Sequence, residues 1–201
     1  MTLLAMQSLW RIGWILEKSS NMEPYIETYS GIRFYFLTPK PSMVSIEDIA
    51  HALSNSCRYT GHCKKFYSVA EHSVAVSELL DSIDAKAGLL HDASEAYLAD
   101  IASPVKPYLY NYKELEDRVM RVIFEHFEVP FPFYKTIHEA DIIQLSAEAR
   151  KLIPSHGDSW DWESMSGGRP IHPGIAPRCL TPKRAKKLFL DKFYNLFGDK
   201  Y

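Results

Sequence analysis

Apolar residues recur along this chain at the three- and four-residue spacing of a helical face, segment after segment. Ile46, Ile49, Ala50 and Leu53 follow Ser45, a residue suited to capping, and predict the first bundle helix. Val69, Val76, Leu79 and Leu80 predict a second over Ser68 to Leu80, and Ala87, Leu90, Ala93 and Leu98 a third running unbroken from Asp84 to Leu98. Pro104 and Pro107 end that stretch, because proline lacks the amide proton and its ring clashes with the preceding turn. Leu115, Val119, Val122, Ile123 and Phe127 predict a long helix over about Tyr112 to Phe127. Ala140, Ile143, Leu145 and Ala147 predict another over His138 to Leu152. Ala185, Leu188, Phe189, Phe193, Leu196 and Phe197 close the chain as a helix over Lys183 to Phe197.

Two stretches break the helical period. Ile26 to Leu37 is rich in β-branched and aromatic residues around Ser30-Gly31, which predicts a short hairpin too small to define the fold. Pro154 to Pro182 is rich in proline and glycine and carries Trp160 and Trp162, so it is expected to be an irregular excursion, of the kind that often covers a site. The fold class is therefore all-α, a helical bundle with a short N-terminal β-hairpin. No internal repeat or low-complexity tract is present.

A length of 201 residues with 46% hydrophobic content is enough for one core, so a single domain over 22–201 is expected. Residues 1–21 read as a non-core extension, either translated from an upstream start codon or folded as a surface helix. Arg11, Glu17 and Lys18 interrupt its apolar character, and no small-residue cleavage site follows, so it is a poor signal peptide. The formal net charge of −2 excludes a global basic coat for nucleic acid or an anionic membrane, so an anionic substrate must be caught locally. Cys57, Cys63 and Cys179 are odd in number and form no Cys-x-x-Cys pair, which argues against a disulfide framework or a thiolate zinc site and fits a reducing cytoplasm. No uncharged apolar run approaches the ~20 residues that cross a bilayer.

The densest chemical signal is Leu89-Leu90-His91-Asp92-Ala93-Ser94-Glu95, three ionisable groups in a run that should face the core. Buried charge without a partner is very costly, and a cation is the simplest compensation. On a helix His91 and Glu95 are four apart and Asp92 and Glu95 three apart, so they share a face. The plainer alternative has Asp92 capping a helix, His91 donating to a backbone carbonyl and Glu95 solvated in a capping box. His72, inside an apolar helix, and Asp141, beside Ala140 and Ile142, shift the balance toward a metal. Two imidazoles and two carboxylates suit manganese, cobalt, zinc or iron, and the donor set does not choose among them.

His72, then His91-Asp92, then Asp141 follow the order and approximate spacing of the HD-domain phosphohydrolases, and the chain resembles that family over roughly Glu27 to Phe197. His91-Asp92-Ala93-Ser94-Glu95 followed by Asp100 and Ser103-Pro104-Val105-Lys106 is similar to the bacterial 5′-deoxynucleotidase branch. Cys57-Arg58-Tyr59, Gly61-His62 and Phe66 to Ser73 are similar to short phage-type members that include dATP triphosphohydrolases. Glu95-Ala96 departs from the acidic pair of the (p)ppGpp hydrolases, and no Gly-Tyr-Pro segment of the cyclic-di-GMP type occurs.

The resemblance implies metal ligation by His72, His91, Asp92 and Asp141 in a helical bundle, with attack of a metal-bound water on the α-phosphorus of a small deoxynucleotide. Glu95 would orient that water or protonate the leaving oxygen, and Asp100 would position it or the sugar. A monophosphate would give nucleoside and phosphate, a triphosphate nucleoside and triphosphate; the sequence leaves both open. Arg58 and Lys106 are the leading phosphate contacts, since a guanidinium matches phosphate in a fork. Tyr59 packs on base or sugar, or else in the core. His62 and Lys65 are further candidates, Lys64 and Lys65 equally reading as a solvated pair. His51, between Ala50 and Ala52, reads as a packed core histidine. The expected partner is a small-molecule deoxynucleotide bound by a homo-oligomer, with no stable nucleic-acid or membrane partner. The rivals are a phosphodiesterase on cyclic nucleotides or oligonucleotides and a non-catalytic metal-stabilised nucleotide sensor.

Overall fold

Of the helices that this periodicity predicts, all but one form as continuous segments in a computed structural model that describes residues 23–82, 84–132, 135–198 and 200–201. The extension 1–21 lies outside the described residues. The chain is mostly helical, with β1 (Ile26–Glu27) and β2 (Arg33–Phe34) as a small antiparallel hairpin at its start. Ile26 pairs with Phe34 and Glu27 with Arg33, and the turn between them uses Gly31 at a φ of 83°, the left-handed region that glycine enters without steric cost.

Helix α1 (Ile46–Asn55) buries the four apolar positions of its predicted face. It also buries Asp48, whose carboxylate accepts from the hydroxyls of Thr28 and Ser30 at 2.7 Å each and from the Ser30 amide at 2.8 Å. That carboxylate straps the hairpin to the bundle, while Phe34 stacks on Tyr97 with ring centroids 3.8 Å apart.

Helix α2 (Val69–Glu78) is the hub, packed against α1, α3 (Ala85–Leu90), α6 (Lys135–Leu152) and α8 (Pro182–Phe197). A helix enclosed on so many sides must be buried nearly all round, and every residue from Val69 to Ser77 is buried. Its Ser68 cap accepts from the Glu71 amide. The close approach of α2 and α3 depends on Gly88: a Cβ there would sit 2.4 Å from Leu80 Cδ1 and 3.3 Å from Ser77 Cα.

The third predicted helix is not continuous. It stops at Leu90, passes through turns at residues 91–94, and resumes as α4 (Glu95–Leu98). The reason is visible in the hydrogen bonds, which tighten from i→i−4 to i→i−3: Ala93 to Leu90, Glu95 to Asp92 and Ala96 to Ala93. His91 and Asp92 therefore sit on an overwound turn, with Glu95 opening α4.

Beyond it, α5 (Tyr112–His126) matches its predicted span, and α6 begins three residues earlier than expected. The irregular excursion holds a single helical turn, α7 (Trp162–Ser166), which its proline and glycine content had hidden. One core cluster runs from Phe34 through Phe124 and Phe127 to Phe189 and Phe193. Among the described residues no helix is long and apolar enough to cross a membrane.

Candidate metal centre

Three elements converge on one buried point. His72 comes from the middle of α2, His91 and Asp92 from the overwound turn after α3, and Asp141 from α6. One ligand atom each from His72, His91 and Asp141 lie within 4.8 Å of one another. The Nε2 atoms of the two histidines are 3.3 Å apart, and Asp141 Oδ1 is 3.2 Å from His72 Nε2. Asp92 Oδ2 completes the set at 3.2 Å from His91 Nε2 and 3.6 Å from His72 Nε2.

The other nitrogen of each ring explains why these faces meet. His91 Nδ1 donates to the Gly88 carbonyl at 2.8 Å, and His72 Nδ1 donates to Glu148 Oε1 at 2.7 Å. With both Nδ1 atoms committed as donors, the Nε2 lone pairs of the neutral rings are turned toward the same space. This is how proteins orient imidazole ligands, through a carboxylate or carbonyl behind the ring. The His91 contact is the backbone bond of the plainer sequence alternative, and it is compatible with ligation. The rest of that alternative is not seen: among the described residues no capping bond reaches the Asp92 carboxylate, and Glu95 is only 7% exposed.

His72, His91 and Asp141 form a group that could hold a metal ion, and two imidazoles with a carboxylate suit a divalent transition ion. Without one, the cluster balances its charges internally. Burial and the Arg58 charge oppose protonation of His72, but Glu148 and Asp141 outweigh them and lift it to about 9. Burial opposes ionisation of Asp92 and Asp141, yet His91 and His72 hold Asp92 well below the usual carboxylate range, and His72 and His91 lower Asp141.

Glu95 stands beside this group in the opposite state. Burial, then the charges of Asp92 and Asp100, push its carboxyl up to about 9, and its Oε2 has no hydrogen-bond partner. The other buried acids named here are saturated: Asp48 straps the hairpin, and Glu71 accepts from the amides of Arg178, Cys179 and Leu180. A buried carboxyl with an unpartnered oxygen and a raised pKa marks a candidate functional group. Asp100 is likewise raised, by burial first and Asp92 next. The preceding Ala99 is held at φ 67°, ψ 156°, a region nearly restricted to glycine, and this strain sets the direction in which the chain leaves α4.

The remaining candidates divide. Arg58 reaches the cluster, with Nη1 3.7 Å from Asp92 and Nε donating to Glu148 at 3.0 Å. Tyr59 also donates its hydroxyl to Glu148, at 2.9 Å, with its ring 6.3 Å from that of Trp160. Lys106 pairs with Glu116 at 2.7 Å. It is close enough to Glu95 and Asp100 to influence both. His62 and Lys65 are exposed, and no ion pair brings either into the cluster among the described residues. His51 is half-buried and stacks on Tyr29 at 3.8 Å.

Glu148 is the residue that the sequence reading missed. It is fully buried and takes donors from a prospective metal ligand, the arginine and the tyrosine at once. Its signal was periodic: seven residues after Asp141, two helical turns, it falls on the same face of α6.

No family model matches the chain. Escherichia coli (strain K12) has an uncharacterized protein, YfdR, that is 37% identical over 172 residues, covering 86% of this chain and 95% of its own length. An uncharacterized protein of Rhodobacter capsulatus is 36% identical over 184 residues, covering 83% of this chain and 92% of its own.

Proposed function

We propose that this chain, which belongs to the YfdR family, is a metal-dependent phosphohydrolase of the HD type that cleaves the 5′-phosphate, or triphosphate, from a small deoxynucleotide. The observation that carries this reading is the convergence of the His72 and His91 Nε2 atoms with the carboxylates of Asp92 and Asp141 beside Glu95, a buried carboxyl whose Oε2 has no partner. A divalent ion on the first four residues would supply Lewis acidity and an acidified water, which is hydrolytic chemistry.

The chain's own residues divide the remaining work. Glu148 fixes the His72 ring so that Nε2 faces inward, and the Gly88 carbonyl does the same for His91. Arg58, held by Glu148 through Nε, keeps its outer Nη1 toward the cluster, where a phosphate oxygen can compete with Asp92 for it. Glu95, protonated at neutral pH, is equipped to give its proton to the leaving sugar oxygen. Asp100 and Lys106 flank it and tune that proton. A passive sensor needs four ligands and no buried acid at an elevated pKa, so Glu95 favours catalysis.

The test is direct. Full-length protein loaded with manganese or cobalt is incubated separately with matched ribo- and deoxynucleoside mono- and triphosphates, and products are resolved by chromatography. The expected result is nucleoside plus phosphate from a monophosphate, or nucleoside plus triphosphate from a triphosphate, abolished by chelation and faster for the deoxy form. Metal-loaded protein that turns over none of these sinks the proposal, and equal rates on ribo- and deoxynucleotides remove the deoxynucleotide assignment.

A further inference from the structure

Cys57 and Cys63 are six residues apart, yet their sulfurs lie 3.5 Å from each other. The backbone between them explains the approach. Tyr59, Thr60 and Gly61 are all in the left-handed region, at φ 58°, 54° and 81°, and they turn the chain back on itself. Both ends of this loop are anchored. The Arg58 amide donates to the Tyr67 carbonyl at 2.9 Å, Cys57 forms a β-bridge with Ser68, and the Lys64 amide donates to the Leu152 carbonyl at 2.8 Å. The sulfurs are thus held near each other by backbone bonds to the bundle, and each residue is only half-buried.

We propose that Cys57 and Cys63 are a site of reversible disulfide formation, with a low-molecular-weight disulfide such as glutathione disulfide as the oxidant. One thiolate attacks a glutathione sulfur, forming a mixed disulfide and releasing one glutathione thiolate. The second cysteine thiolate then attacks the protein sulfur of that mixed disulfide and releases the second glutathione. Two S–H bonds are lost, one S–S bond forms in the protein, and one glutathione disulfide is reduced to two glutathione molecules. The approach required is about 1.5 Å, from 3.5 Å to the ~2.05 Å of the bond, and backbone anchoring makes the second step intramolecular.

The ring so closed contains Arg58 and Tyr59, both of which donate to Glu148. Oxidation therefore fixes the loop that carries these two donors. Cys179 lies in a different segment, at the far end of the irregular excursion, with its amide bound to Glu71.

Trypsin cuts after Arg58, between the two cysteines, which makes the bond easy to see. Native full-length protein is equilibrated with glutathione disulfide, trapped with an alkylating agent and digested without reduction. The expected result is the loss of two of three alkylatable thiols, and a Tyr59–Lys64 peptide joined to the peptide ending at Arg58, both released by reduction. Cys63→Ser should lose the cross-link and carry a glutathione adduct on Cys57 instead. A control of reduced, guanidinium-unfolded protein reports all thiols as reactive. Full alkylation of Cys57 and Cys63 in the oxidised native sample would overturn the proposal. So would a cross-link to Cys179 or between two chains.

Discussion

Replacing Glu148 by glutamine changes one atom, and its consequences follow from the three donors that meet there. Oε1 accepts from His72 Nδ1 at 2.7 Å, while Oε2 accepts from Arg58 Nε at 3.0 Å and the Tyr59 hydroxyl at 2.9 Å. An amide has one acceptor oxygen. If that oxygen faces Arg58 and Tyr59, the NH2 faces His72 and can only donate, so His72 must move its proton to Nε2 and its ligand lone pair is lost. If the oxygen faces His72, the NH2 points at two donors. In both arrangements the neutral amide removes the countercharge of a buried guanidinium and so breaks a buried ion pair, a loss of about 3–5 kcal/mol. For a chain of this size that is on the order of 10 °C in Tm. The first arrangement also weakens metal binding by roughly 10- to 100-fold, the usual effect of losing the partner behind a histidine ligand. Calorimetric unfolding of chelated protein and competitive titration of manganese or zinc, on the same preparation, measure both quantities. Glu148→Asp should also fail, because the shortened carboxylate cannot span the three donors. A Glu148→Gln protein that binds metal and unfolds like the parent would refute the argument, since each amide orientation must lose at least one.

Three further outcomes are expected. Gly88→Ala should destabilise the protein by about 1–3 kcal/mol, because the new Cβ meets Leu80 Cδ1 and the Ser77 backbone, and it should weaken metal binding as α3 carries His91 away from α2; adding Leu80→Ala should recover part of the stability but not the affinity. The chelated protein should lose stability as pH rises from about 6.5 to 9. His72 is raised to about 9 in the folded state, so its proton stabilises folding below its ordinary value of 6.5 and is lost through 9; Glu95, raised from 4.5 to about 9, acts in the same direction. Since metal ligation needs a neutral His72, stabilisation by added manganese should grow over that window, and a flat melting profile for chelated protein would contradict it. Glu95→Gln should keep metal content and nucleotide affinity while turnover falls by ~100-fold or more; loss of metal would instead make Glu95 a ligand, and unchanged turnover would end its catalytic assignment.

The apolar spacing made the bundle legible because most helices bury one face, and such faces print their period on the sequence. It failed at residues 91–94, where Leu89, Leu90 and Ala93 are all fully buried and burial is compatible with helix or turn alike. The tightening there comes from hydrogen-bond register, which composition does not encode. His72, His91 and Asp141 were visible because a polar residue within an apolar run is anomalous. Glu148 was less conspicuous in its setting, Ser146-Ala147-Glu148-Ala149-Arg150, which reads as an ordinary solvated turn until the partners from elsewhere in the chain are known. Cys57 and Cys63 were hidden for a related reason: their approach depends on three consecutive left-handed residues, and only Gly61 advertises that conformation.

The excursion between α6 and α8 is pinned by side chains at its far end. Both amide groups of Gln144 pair with the Ile175 backbone, at 3.0 Å each, as a strand neighbour would, and Glu71 gathers three consecutive amides at residues 178–180. Nearer its start, the His156 ring bonds the Arg150 carbonyl and the Trp162 indole bonds the Gly157 carbonyl. Between these moorings Arg169 pairs with Glu139 on α6, two residues before Asp141, and Trp160, beside Tyr59, keeps the segment adjacent to the loop that carries Arg58. The tethered segment therefore bridges α6 and the Arg58 loop, so a change in its sequence is felt at both.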